Sequence, residues 1–263
     1  MTSQTIDAFH RGRFHLVQPK GRGHRAGMDA MLLASLVADD RRCRVADLGA
    51  GAGAAGFAVA ARLAKAEVTL FEYAPEMVDF ATRSIALPEN AHLASRLTVR
   101  QADVTLRAKA RAEAGLIDDH FDHVIMNPPY NDAGDRKTPD ALKAQAHAMT
   151  DDLFEHWIRT AGAIVVPGGQ LSLIARPQSA ADIIAACGRR FGGLEITLIH
   201  PRPGEDAVRM LVTAIKGSRA RLTFRASLIM HEQESHAFSP FVDELNNGRA
   251  AYRRNDKSLH SQA

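Results

Sequence analysis

Cysteine is scarce in this sequence: Cys43 and Cys187 are the only two in 263 residues. They stand in different segments, which argues against a disulfide-stapled scaffold and fits reduced thiols in a cytoplasmic protein. No Cys/His spacing has the form of a zinc site, so no metal is expected. Long apolar runs are missing as well. None approaches the roughly 20 residues needed to cross a bilayer. The opening stretch "MTSQTIDAFHRGRFH" has no apolar core of a secretory signal, so no membrane partner is expected. Net charge is small, +3 at pH 7. That neither demands nor forbids a polyanionic partner. Internal repeats and low-complexity linkers are absent.

What is present is an ordinary globular composition, 46% hydrophobic and 24% charged, which can bury a real core. The cations are grouped. Arg11, Arg13, Lys20, Arg22 and Arg25 crowd the first segment, with His10, His15 and His24 among them; Arg219, Arg221 and Arg225 form a second group, and Arg249, Arg253, Arg254 and Lys257 a third. Any one group reads first as a solvated face. Three together are compatible with a nucleic-acid footprint.

Strand and helix patterns alternate, which indicates an α/β sheet with helices on both faces. A helix is expected over 30–38 with Asp29 as its N-cap. Strands are expected over 44–49, 66–73, 96–104, 121–126 and 168–176, with helices over 54–64, 75–87, 106–114, 150–163 and 180–190. Two further strands, 194–201 and 207–217, are joined only by "RPGED". That link is too short for a crossover helix, so the two must pair antiparallel.

The chemistry lies at the strand ends. "ADLGAGAGAAG" over 46–56 places Gly49, Gly51 and Gly53 between the first strand and its helix. Glycines there permit a tight turn and close ligand approach. Gly51-x-Gly53-x-x-Gly56 also fits a dinucleotide fingerprint, which keeps an NAD-dependent oxidoreductase open. Asp47 ahead of the glycines suits a cationic, amino-acid-bearing ligand better than a pyrophosphate, which it would repel. Glu72 ends the second strand, where an acid can grip ribose hydroxyls. Asp103 ends the third, where a carboxylate can accept from an exocyclic adenine amine. Open α/β sheets bind ligands outside those ends. The fourth strand stops in "MNPPY". The Pro pair cannot continue a central ladder, and Pro128 pushes Asn127 into an extended conformation.

Asp47, Gly49, Gly51, Gly53, Glu72, Asp103 and Asn127-Pro128-Pro129-Tyr130 come in the order seen in class I S-adenosylmethionine-dependent methyltransferases, and the chain resembles that superfamily over about 27–217. The N-P-P-Y string is similar to that of enzymes that methylate planar nitrogen. Gly27, Asp29, Ala30, Leu32 and Leu33 in "HRAGMDAMLLASLV", with "LIARPQ", "LIHPRPGEDAVRMLVTAIKG" and "ASLIMHEQESHAFSP", resemble the bacterial tRNA1(Val) adenine-N6 methyltransferase family. The resemblance departs from that family at 105–120, which is longer, and after 247.

The resemblance implies a Rossmann-like class I methyltransferase sheet, mostly parallel with a C-terminal antiparallel hairpin strand. It implies S-adenosyl-L-methionine as cofactor, held by Asp29, Asp47, Gly49, Gly51, Gly53, Glu72, Asp103 and Asn127. Asn127, Pro128, Pro129 and Tyr130 are then catalytic, and Arg22, Arg25, His147 and Arg176 line the substrate side. The expected organisation is a basic N-terminal segment over 1–28, a methyltransferase domain over 29–245 and a basic, flexible tail over 246–263. The expected activity is methylation of the exocyclic N6 of an adenine in RNA, with tRNA as partner. A protein glutamine or a small molecule is the alternative acceptor. A glutamine enzyme would be expected to carry a separate N-terminal helical domain, and fewer than about 45 residues precede the first strand.

Overall fold

The computed structural model describes residues 4–20, 27–38, 41–129, 152–232 and 236–255. The chain opens with an antiparallel hairpin, β1 (Gln4–Phe9) and β2 (Phe14–Pro19), paired from Gln4↔Pro19 to Phe9↔Phe14. Its turn runs through positive φ at His10, Arg11 and Gly12. Phe14 is fully buried and stacks on Phe9 and on Phe57, with ring centroids 5.3 and 6.0 Å apart. Side chains satisfy the outer edge of β2: the His15 N–H donates to Asn90 Oδ1 (2.9 Å), Asn90 Nδ2 donates back to the His15 carbonyl (2.7 Å), and the Val17 N–H donates to Ser84 Oγ (2.9 Å). Burying these backbone groups without partners would be costly. Residues 4–20 are thus docked structure. Their apolar alternation was masked in the sequence by the basic residues between the two strands.

Among the described residues the remaining strands form one nine-stranded sheet. Helix α1 (Met28–Ser35) leads into β3 (Cys43–Leu48), then α2 (Ala54–Arg62), β4 (Ala66–Glu72), α3 (Pro75–Ile85), the short α4 (Ala91–Ala94) and β5 (Leu97–Gln101). Next come α5 (Ala108–Glu113), β6 (Phe121–Met126), α6 (Leu153–Ile164), β7 (Val165–Ala175), α7 (Ala180–Cys187), β8 (Phe191–His200) and β9 (Arg209–Lys216). Across the sheet the order is β5, β4, β3, β6, β7, β9, β8. The first five lie parallel, and β9 is antiparallel to both β7 and β8. The short link therefore does force a reversal, as the sequence requires. Two-residue strands β10 (Thr223–Phe224) and β11 (Leu228–Ile229) extend β8, and α8 (Pro240–Asn246) packs near α1.

Both sheet faces are covered. On β3, Val45 joins the core under α1 and α2, while Ala46 and Leu48 join the core under α6 and α7. This is the period-2 alternation of a strand buried on both sides. Among the described residues no helix is long and apolar enough to cross a membrane.

Three expectations need correction. Asp29 is not the N-cap of α1. The helix begins earlier, Gly27 is the cap residue, and no side chain caps it. Asp29 sits in the first turn, where Arg209 Nε donates to its Oδ2 at 2.8 Å and ties α1 to the start of β9. The third strand of the central sheet ends at Gln101, so Asp103 lies in the loop beyond it. Tail residues 246–255 are also held against the end of α1 and the sheet rather than trailing from them. The Tyr252 N–H donates to the Ser35 carbonyl (2.9 Å), Arg253 Nη1 to the Ala38 carbonyl (2.8 Å), and Arg254 pairs with buried Glu195 (3.5 Å).

His10 lies where the hairpin turn meets Gly248 after α8, buried, with no hydrogen-bond partner among the described residues for either ring nitrogen. Burial, then the nearby Arg13 and Arg62, hold its pKa down at about 4. The unfolded chain therefore takes up this proton first, and stability falls as pH drops from the usual histidine range toward 4. His10→Asn keeps a residue that tolerates positive φ and removes the titration. Urea midpoints at pH 7 and pH 4.5 should show a smaller acid loss in the variant; equal losses would contradict this placement of the charge.

Candidate active site

Strands β3, β4, β5 and β6 run parallel, so their carboxyl ends open on one edge. The register sets Leu48 beside Phe71 and Met126, and Glu72 beside Gln101. Gly49, Glu72, Ala102 and Asn127 therefore follow at nearly one height.

The glycine loop is built from backbone contacts. The N–H groups of Gly49 and Ala50 both donate to the Phe71 carbonyl, at 2.8 and 3.0 Å. Gly49, Gly51 and Gly53 have φ of +67°, +57° and +94°, a region that other residues enter at a penalty. Gly53 is the N-cap residue of α2. A Cβ on Gly51 would meet only Met77 Cε, at 3.7 Å, so that face of the loop is open. A Cβ on Gly56 would lie 2.1 Å from Leu70 Cδ2, so Gly56 serves the close packing of α2 on β4.

Three carboxylates act on this edge. Glu72 Oε2 accepts from the Gly51 N–H and Oε1 from the Ala74 N–H, both at 2.8 Å. One side chain thus bridges the loops that follow β3 and β4. Asp103 Oδ1 accepts from the N–H and the hydroxyl of Thr105, each at 2.7 Å, and fixes its own turn. Asp47 is 2% exposed, and its Oδ2 accepts from the Gly56 N–H at 2.9 Å. Burial pushes its pKa up to about 7; the Gly56 hydrogen bond opposes the rise and Glu72 adds to it. Asp47 is therefore a peg beneath the loop.

On the same edge Asn127, half-buried, stands one residue past β6, followed by buried Pro128 and exposed Pro129. Arg176, also half-buried, follows β7 on the same edge. Tyr130, Arg22, Arg25 and His147 lie outside the described residues. The edge has a neighbour that motif reading missed. Trp157, on α6, packs against Gly49. The one signal for it was that this is the sole tryptophan in the chain.

A sheet with this strand order, carrying a glycine turn and acids on its carboxyl edge, is that of an S-adenosylmethionine-dependent methyltransferase. The chain belongs to the family described as Methyltransferase small domain, whose model matches residues 25–197. It is 72% identical to a predicted O-methyltransferase from Agrobacterium tumefaciens of known crystal structure; the match has a TM-score of 0.77 and covers 87% of this chain and 100% of that one. It is 31% identical to a tRNA1(Val) (adenine(37)-N6)-methyltransferase of Shewanella sediminis over 176 residues, 66% of this chain and 68% of that protein. It is 28% identical to a release factor glutamine methyltransferase of Salmonella typhimurium over 64% of this chain and 58% of that protein. Family membership sets the nicotinamide reading aside.

The residues fit the methyl donor. The open face of Gly51 and the carboxylates of Glu72 and Asp103 stand on the edge where its methionine, ribose and adenine portions would need partners. Asp47 offers a check by pH. Its folded pKa is raised, so its burial becomes unfavourable as pH rises from about 4 to about 7. Asp47→Asn keeps an acceptor for the Gly56 N–H and removes that charge. Its melting temperature relative to the parent should rise from pH 5 to pH 8; a constant difference would show that Asp47 does not carry the raised pKa.

Proposed function

We propose that this chain transfers a methyl group to the exocyclic N6 of an adenine in RNA, with tRNA as the substrate class. The observation that carries the reading is Asn127-Pro128-Pro129, placed directly after β6 and one strand over from the glycine loop. The division into a basic N-terminal segment, a methyltransferase domain over 29–245 and a tail belongs to the same proposal.

An aromatic amine is a weak nucleophile because its lone pair is delocalised into the ring. It carries two N–H groups. The Asn127 side-chain oxygen and the Pro128 carbonyl supply two acceptors, which orient the amine and favour a pyramidal nitrogen. The prolines restrict both acceptors. Bound S-adenosylmethionine supplies an electrophilic methyl group. Positioning of this kind contributes on the order of 7–11 kcal/mol. Transfer would break the donor's S–CH3 bond as the N–C bond forms, leaving neutral S-adenosylhomocysteine and a cationic nitrogen that loses a proton to water, so no strong base is required. Tyr130 gives the base a stacking face, worth about 1–3 kcal/mol. The turn of Gly49, Gly51 and Gly53, with Asp29, Glu72 and Asp103, holds the donor over the buried peg Asp47; Asn127 serves the acceptor amine, and Arg22, Arg25, His147 and Arg176 are assigned to the substrate.

A target base must leave its stack to reach such a pocket, and an RNA loop presents bases already unstacked. Exposed Arg13, Arg219 and Arg221 can meet phosphates. The curated relatives named above act on a tRNA adenine or on a release-factor glutamine, and both targets are planar nitrogens. The Agrobacterium protein is described as an O-methyltransferase. A hydroxyl has one hydrogen to donate, and a pair of acceptors suits it less well.

Purified protein incubated with methyl-labelled S-adenosylmethionine, unmodified tRNA and a protein extract should give label that nuclease releases as N6-methyladenosine. Release by protease would move the acceptor to glutamine. Asn127→Ala should lower turnover by about a hundredfold or more while S-adenosylhomocysteine still binds. Full activity in that variant would defeat the mechanism.

A further inference from the structure

Helix α6 touches the donor edge at two separate points. Near its middle, Trp157 is 5% exposed and lies against the Gly49 turn. A Cβ on Gly49 would fall 2.4 Å from Cη2 and 2.9 Å from Cζ3 of the indole, so only glycine leaves room for this ring. One turn further along, buried Thr160 donates through Oγ1 to the Val104 carbonyl at 2.6 Å, and Arg159 Nη2 donates to the Thr105 carbonyl at 3.2 Å. Val104 and Thr105 directly follow Asp103, and Thr105 is its hydrogen-bond partner. Residues 157 and 160 are three apart, on one helix face. The helix is itself anchored, since Arg190 pairs with both carboxylate oxygens of Glu155, at 3.0 and 2.5 Å.

The indole contact is not explained by hydrogen bonding. Trp157 Nε1 is enclosed and has no partner among the described residues. A buried unpaired N–H is unfavourable, and a Phe or Leu here would avoid it. What the indole adds is reach: the far edge of its six-membered ring, Cη2 and Cζ3, is what meets Gly49.

We propose that Trp157 and Thr160 are positioning residues for the methyl donor: α6 ties the Gly49 turn and the Asp103 turn to one rigid body and so fixes their separation. The inference rests on the assignment of Gly49 to the methionine end of the donor and Asp103 to its adenine end. Trp157 then governs the methionine end, and Thr160 governs the adenine end. Neither needs to touch the donor.

Two ligands separate the ends: S-adenosylhomocysteine, which has both, and adenosine, which lacks the amino-acid portion. Affinities are measured by calorimetry on the full chain, with thermal melting as a check on folding. Trp157→Leu should weaken S-adenosylhomocysteine by about tenfold or more, since small misplacements have large effects, while adenosine binding stays within about twofold. Trp157→Phe should fall between parent and Trp157→Leu. Thr160→Val should weaken both ligands by a similar factor. Because Trp157 is the only tryptophan, its emission in the parent should shift with S-adenosylhomocysteine along the calorimetric curve.

Equal weakening of both ligands in Trp157→Leu would overturn the proposal. So would unchanged affinity in that folded variant, or unchanged emission while heat is released. No heat from the parent with either ligand would instead defeat the donor-site assignment, and this inference with it.

Discussion

The carboxylate of Glu72 carries more of this architecture than any other side chain on the active edge. One oxygen accepts from the Gly51 N–H and the other from the Ala74 N–H. Loops that leave two neighbouring strands are thereby joined through a single charged group. Hydrogen bonds to an ionised acceptor are the stronger kind, and here they hold a loop whose three glycines all have positive φ. Beneath it, Asp47 secures the first turn of α2 through Gly56. A loop open on one face can stay in shape only if its other face is fixed, and these two acids fix it.

Much of this was legible in the sequence, for local reasons. The apolar run 121–126 ends at Asn-Pro-Pro, and β6 has those bounds because the prolines leave no alternative. The reversal of β9 followed from a link too short to cross over. What could not be read depends on contacts distant in the chain. Asp29 looked like a cap because the sequence does not show Arg209 arriving 180 residues later. Trp157 drew no site role from the sequence because nothing in its own helix points to Gly49. The hairpin looked like a basic arm because its partners, Ser84 and Asn90, are on other elements.

The cationic groups show the same limit. By sequence, Arg225 and Arg254 belonged to two patches open to solvent. In the structure both meet the buried carboxylate of Glu195, at 3.1 and 3.5 Å, and Arg225 also lies over the ring of Tyr252. Arg219 and Arg221 remain exposed. Charge counted along a chain overstates what is offered to a partner, because a guanidinium is as useful inside a fold, against a carboxylate and a carbonyl, as on its surface.

The place of β9 bears on how the chain is made. It lies between β7 and β8 yet follows both in sequence. A nascent chain that has emerged through residue 200 carries β7 with one edge unpaired. It carries β8 with no neighbour in the sheet to dock against. The exposed edge belongs to an apolar strand, "LSLIA", the kind of edge that invites pairing with another chain. Only when the segment 209–216 arrives do both strands gain their partner, and with them Arg209, which reaches back to α1. Completion of the sheet is thus deferred until residues 209–216 have emerged, and until then the emerging chain has a vulnerability that the finished protein does not.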